Sequence, residues 1–247
     1  VSGIEKSYRE LRKLHSILDN GRGNTWWAPG AVSWWIGVLF AIGAALFAIG
    51  AAPGFSASAG RFKWDAGFFF CGSIFFTSAA FLQYLESVNA HRRELEGKHR
   101  IRVFVWEPRN LAWWSSLVQL GGTIYFNVST FNSIWTEVMR PNQVDHLIWK
   151  PDIYGSICFL IASCLAWAEL GHVLRVRRPR TLSWWIVYLN IFGSAFFGIS
   201  GIASFMLPTT GDVVNKALVN AGTFLGALCF LAGAILLLPE RTQDKLG

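Results

Sequence analysis

The sequence predicts an all-α, polytopic membrane protein: six transmembrane helices, arranged as three repeated helical hairpins in a pseudo-threefold arrangement. Three observations predict it. The first is composition: of 247 residues 53% are hydrophobic and 15% are charged, where a soluble domain carries about 25% charged residues. The second is a series of six apolar segments near 33–52, 66–87, 112–134, 152–170, 183–206 and 220–239, of the length needed to cross a ~30 Å hydrocarbon core. The third is an internal repeat that runs through all six. Lipid offers a strand edge or loop no hydrogen-bond partner, so segments of this kind must be helical.

The elements follow in order. Residues 1–28 are expected to form a cytoplasmic amphipathic helix and linker. Ile4, Tyr8, Leu11, Leu14 and Leu18 fall near one face, with Lys6, Arg9, Arg12 and Lys13 around the other. Such a helix suits an anionic membrane surface. The transmembrane domain is expected over 29–247, with repeats at about 29–88, 108–171 and 179–241. The segment 152–170 is the shortest and carries Glu169 near its end. The chain starts at Val1 rather than Met, so processing or a missing leading segment is expected.

Lys and Arg set the orientation. Seventeen fall before the first segment, between the second and third, between the fourth and fifth, and after the sixth; only Arg61, Lys63, Arg140, Lys150 and Lys216 fall in the opposite loops. Both termini are therefore expected in the cytoplasm, with the protein in a cell membrane, read as a bacterial inner membrane. The net charge of +7 is then a topology signal and a source of lipid-headgroup contact. Nucleic acid is not an expected partner.

The repeat is specific in spacing. Pro29, Pro108 and Pro179 each stand five residues before a Trp pair: Trp34-Trp35, Trp113-Trp114 and Trp184-Trp185. Seven residues then separate each pair from a Gly, with Phe four later: Gly43/Phe47, Gly122/Phe126 and Gly193/Phe197. The even segments carry Gly72/Phe76, Gly155/Phe159 and Gly226/Phe230, and Glu86, Glu169 and Glu240 each lie fourteen residues after the Gly. Every hairpin enters from the same side, so the repetition is parallel.

The stretches Phe70-Cys71-Gly72-Ser73-Ile74-Phe75-Phe76 and Ile191-Phe192-Gly193-Ser194-Ala195-Phe196-Phe197 resemble the hydrophobic-Gly-Ser-x-Phe-Phe core of the small YrhK-like two-span membrane domain. The resemblance covers each hairpin and implies a triplicated unit. Repeat one departs with Gly43-Ala44 and repeat two with Gly122-Thr123. The family implies a fold but no catalytic residues.

The repeated residues have physical roles to fill. Gly43, Gly72, Gly122, Gly155, Gly193 and Gly226 are expected to let helix backbones approach closely, with Phe filling the space beside a neighbour's Gly. The Trp pairs suit the membrane boundary. Glu86, Glu169 and Glu240 end helices there, where the macrodipole disfavours a carboxylate; they are interfacial groups, hairpin clasps or a proton or cation site. A polar stripe on the third segment runs Gln119, Thr123, Asn127, Thr130, and the fifth carries Asn190 and Ser194 at matching positions. If these faces converge, Gln119, Thr123, Asn127, Asn190 and Ser194 are candidate binding or path-lining residues.

The four cysteines all fall in apolar segments without a CxxC pair. No disulfide, metal site or cofactor is expected. No phosphate loop, HExxH or GxSxG motif is present. The function expected is non-enzymatic: an accessory or scaffolding component of a membrane assembly. Its partners would be membrane lipids and, as candidates, other membrane-protein subunits. The alternative is a small channel or transporter with a path along the odd-numbered helices.

Overall fold

The structure is a computed structural model that describes residues 26–54, 64–96, 101–174, 181–207 and 210–243. The expected amphipathic helix at the N-terminus lies outside these. Six long helices account for most of the described chain: α1 Val32–Gly50, α2 Trp64–Glu96, α3 Leu111–Ser133, α4 Lys150–Leu174, α5 Leu182–Ala203 and α6 Lys216–Gln243. Local chemistry starts several of them. The Asn110 side chain accepts from the backbone N–H of Ala112 and Trp113 at the head of α3. Thr181 does the same for Trp184 at the head of α5. Each side chain satisfies donors that the first helical turn leaves open.

The fourth segment is not the shortest, as its apolar run suggests. Residues Pro141–Val144 form a short helical lead-in, and Asp145–Trp149 form a π turn that runs directly into α4. Pro151 has no N–H and crowds the carbonyl four residues back. A π turn immediately before it lets the helix pass over that defect without ending.

Among the described residues five stretches are long and apolar enough to cross a membrane: Val32–Gly50, Trp64–Asn89, Pro141–Leu170, Leu182–Ala203 and Lys216–Glu240. These mark a multi-pass membrane protein. At 23 residues α3 has the length, but its load of Ser, Thr, Gln and Asn keeps it outside that apolar group.

The helices close a ring. Each packs on its neighbours in sequence, α6 returns to pack on α1, and contact is more extensive within the pairs α1/α2, α3/α4 and α5/α6 than between them. Each pair is closed by a reciprocal clasp. A Cβ on Gly43 would lie 2.6 Å from Phe76 Cδ2, and one on Gly72 would lie 2.7 Å from Phe47 Cδ2. In the second pair Gly122 faces Phe159 at 2.8 Å and Gly155 faces Phe126 at 3.2 Å. In the third, Gly193 faces Phe230 and Gly226 faces Phe197, both at 3.1 Å. A side chain at Gly43, Gly72 or Gly122 would collide with the facing ring, and one at Gly155, Gly193 or Gly226 would press on it by a few tenths of an ångström, so the close approach favours Gly at these positions.

The six phenylalanines of the clasps meet on the ring axis, each less than a tenth exposed. Phe76, Phe159 and Phe230 form a closed triangle, with ring centroids 5.8 to 6.1 Å apart. Phe47 and Phe126 each pack on Phe197 in a second layer, at 5.7 and 5.9 Å. The layers are joined within each hairpin at 5.2 to 5.6 Å. Tilted and edge-on pairs at these separations contribute about 0.5–1.5 kcal/mol each beyond burial. The space left between the layers is about 10 Å³, the size of a single water with no polar partner to hold it. The centre of the ring is a dry aromatic plug.

Candidate functional site: an axial vestibule

On the Trp-pair side of the plug the axis widens into a half-open vestibule of about 60 Å³. Its floor is the Phe76, Phe159 and Phe230 triangle. Above the floor comes one tier of repeat-equivalent positions, one from each helix: Phe40, Gln83, Gln119, Ala166, Asn190 and Leu237. Three of the six are carboxamides, on α2, α3 and α5. Glu169 adds a carboxylate about one helical turn nearer the mouth. The side formed by Gly233, Ala234 and Leu237 of α6 is apolar. Among the described residues no Lys or Arg lines the vestibule.

The carboxamides retain unspent hydrogen-bonding capacity. Gln83 Nε2 reaches Gln119 Oε1 at 3.5 Å, a long contact. The Asn190 backbone carbonyl accepts from Ser194, while its side-chain amide leans over Gly233. A Cβ there would lie 3.2 Å from Asn190 Oδ1. The matching positions on α2 and α4 are Ala79 and Ala162; the glycine on α6 makes room for the amide.

The remaining polar residues of the stripe turn sideways into the seams between hairpins. Between α2 and α3, Asn127 Nδ2 donates to Thr77 Oγ1 at 2.8 Å, and Thr130 pairs with Ser73 at 2.9 Å. Ser87 pairs with Ser116 at 2.8 Å in the same seam. Thr123 is fully buried and donates to the Leu120 carbonyl of its own helix. Between α4 and α5, Ser194 pairs with Ser163 at 3.0 Å. Of the five candidate path-lining residues, therefore, Gln119 and Asn190 face the vestibule, while Asn127 and Ser194 join neighbouring helices.

The three carboxylates differ in setting. Glu169 lines the vestibule, Glu240 is 2% exposed and Glu86 is half-buried. None of them is free.

The Trp pairs have a second job that the interface rule does not foresee. In each of the first two repeats the leading indole N–H donates to a carbonyl eight residues back: Trp34 to Trp26 and Trp113 to Val105, both at 2.9 Å. The following indole donates to the proline six residues back: Trp35 to Pro29 and Trp114 to Pro108, also at 2.9 Å. Trp27 stacks edge-on against Trp34, and Trp106 does so against Trp113. The signal was present as Trp-x-Pro-x4-Trp-Trp in both repeats. These indoles staple the incoming chain to the helix. The second Trp of each pair stays outward, at 45%, 37% and 44% exposed for Trp35, Trp114 and Trp185, as an interface anchor requires.

Comparison with known proteins gave no match: no family model, no curated protein and no solved structure is significantly similar to this chain. The function must be read from the geometry.

Proposed function

We propose that this chain is a non-enzymatic integral membrane protein that serves as a scaffolding or accessory component of a membrane assembly. The observation that carries the reading is the six-phenylalanine plug. A ring whose centre is packed with aromatic rings suits a rigid membrane body rather than a conduit. The proposal takes α3 as a sixth span, since it packs along two neighbours that are long and apolar enough to cross. It takes the three clasped hairpins as copies of one two-span unit, similar to the YrhK-like domain in its Gly-Ser-x-Phe-Phe stretch. It places the Trp-pair end, with both termini, on the cytoplasmic side of a bacterial inner membrane, on the Lys and Arg distribution. Lipids contact the outward Trp residues and apolar helix faces, and other membrane subunits are the expected partners.

Native mass spectrometry of the protein released gently from its own membrane tests this. A stoichiometric protein partner supports the accessory reading, and a lone chain counts against it. The vestibule favours a second reading, a small channel or transporter whose plug moves. Replacing Asn190 by Leu separates the two. A scaffold loses about 1 kcal/mol of stability, the scale of one lost polar contact between helices; a transporter loses solute flux in liposomes while its fold remains intact.

A further inference from the structure

We propose that a notch between α4 and α5, at the end of the bundle away from the Trp pairs, binds a single small monovalent metal cation. The notch arises where the repeat is broken. At this level of the α2/α3 seam Ser73 pairs with Thr130 at 2.9 Å. The α4/α5 seam keeps the serine as Ser156, but the counterpart of Thr130 is Gly201. One turn earlier on α4 stands Asp152, where α2 and α6 carry Phe69 and Thr223. A Cβ on Gly201 would lie 3.1 Å from Asp152 Oδ2 and 3.6 Å from Ser156 Oγ, with Ile153 Cδ1 as an apolar wall at 3.1 Å. The glycine therefore lets a carboxylate and a hydroxyl bear on one spot.

Both oxygens call for a cation. Ser156 is 3% exposed and its hydroxyl has no partner, an arrangement that costs free energy unless a ligand answers it. Among the described residues no hydrogen bond or ion pair reaches the Asp152 carboxylate. Its neighbour Lys150 is held by Asp145 at 2.9 Å and by His146 at 3.1 Å. The Trp149 indole N–H is spent on the Gly201 carbonyl at 3.0 Å. A carboxylate in a helix seam of a membrane bundle calls for a partner. Hard cations take oxygen ligands, and the notch supplies two. One carboxylate balances one positive charge, whereas a divalent ion would keep an excess charge among apolar helices. Asp152 is half-buried, which leaves water to complete the shell. The inference does not rest on the scaffold reading, since a rigid body and a transporter could each hold such an ion.

The test uses the full chain in phosphatidylcholine nanodiscs, with Na⁺ as the probe. NaCl replaces choline chloride at constant ionic strength, followed by thermal unfolding and calorimetry. Na⁺ is expected to raise the unfolding temperature in a saturable way, and Ca²⁺ to bind no more tightly. Asp152→Asn, close in shape, is expected to weaken binding about tenfold or more. Gly201→Thr rebuilds the pair seen at Ser73 and Thr130 and fills the notch. It is expected to abolish the Na⁺ response while the unfolding temperature in choline is retained. Should that variant fail to fold, Ser156→Ala is measured instead. It is expected to weaken Na⁺ about threefold or more without lowering the unfolding temperature in choline, because the hydroxyl it removes has no protein partner. No saturable response to Na⁺, tighter binding of Ca²⁺, or unchanged Na⁺ affinity in Asp152→Asn overturns the proposal.

Discussion

The seam between α2 and α3 and the seam between α6 and α1 occupy equivalent places in the ring, yet they are built from opposite chemistry. The first has four polar rungs: Ser73–Thr130, Thr77–Asn127, Gln83–Gln119 and Ser87–Ser116. At the repeat-equivalent positions of the second stand Ala227 and Ala51, Leu231 and Ala48, and Leu237 and Phe40. Among the described residues no side-chain hydrogen bond joins α1 to α6. Ile36, Ile186 and Leu237 form an apolar cluster there, and Gly37 sits under Leu238, with a would-be Cβ 2.9 Å from Leu238 Cδ2 and 3.2 Å from the Ala234 carbonyl. The α4/α5 seam is intermediate. It carries Ser163–Ser194 at a level where the first seam has Ala80 and Thr123, but Gly201 stands at the counterpart of Thr130, and the Ser156 hydroxyl is left without a partner. The comparison teaches that the clasp within hairpins is kept uniform while the joints between hairpins are individual. Apolar seams in lipid rest on close packing alone, since lipid tails are as apolar as the side chains. Polar seams add direction and register.

Four substitutions test that contrast, from large effect to small. Gly37→Leu strikes the apolar seam against a backbone carbonyl and should cost about 3 kcal/mol by overpacking, read as loss of thermal stability in detergent. Ser116→Leu places a comparable bulk at the matching rung of the polar seam. It should cost about 2 kcal/mol, because Ser87 keeps its bond to the Tyr84 carbonyl; a cost above that of Gly37→Leu would reverse the ranking. Thr130→Val removes one rung at nearly constant shape and should cost about 1 kcal/mol in chemical unfolding, within the range for interhelical polar contacts. Gly121→Ala is the control, since nothing lies within 4 Å of its would-be Cβ. Its melting point should stay within an effect of about 0.5 kcal/mol.

Much of the fold was legible because membrane helices announce themselves by length and hydropathy. Five segments come out long and apolar, within a few residues of their expected bounds apart from the extra turns at some ends. The Gly and Phe positions were legible because each repeats at fixed spacing. Other features were not. The stripe Gln119–Thr123–Asn127–Thr130 reads as a single face, but a helix in a ring divides that face between the axis and the next helix. Only register decides which residue turns where, and register is a property of two chains of side chains in contact. Gln119 could be singled out in the sequence; that its tier mate Gln83 comes from α2 could not. Likewise the Trp pairs obey the interface rule, and the Trp-x-Pro-x4-Trp-Trp spacing before them becomes readable as a staple only once the indole bonds to Trp26, Pro29, Val105 and Pro108 are seen.

The unlike joints also let the chain count its own hairpins. During synthesis α1 waits with an apolar edge, and each new hairpin extends an open arc. A premature closure after α4 would set Ser163, which pairs with Ser194 in the finished ring, against the Ala44 position of α1, where no hydroxyl can answer it. Closure after α6 sets Ala234 there instead. A two-hairpin arc therefore ends in mismatched edges and a three-hairpin arc in matched ones, so the number of hairpins in the ring is written into the chemistry of its two outermost helices.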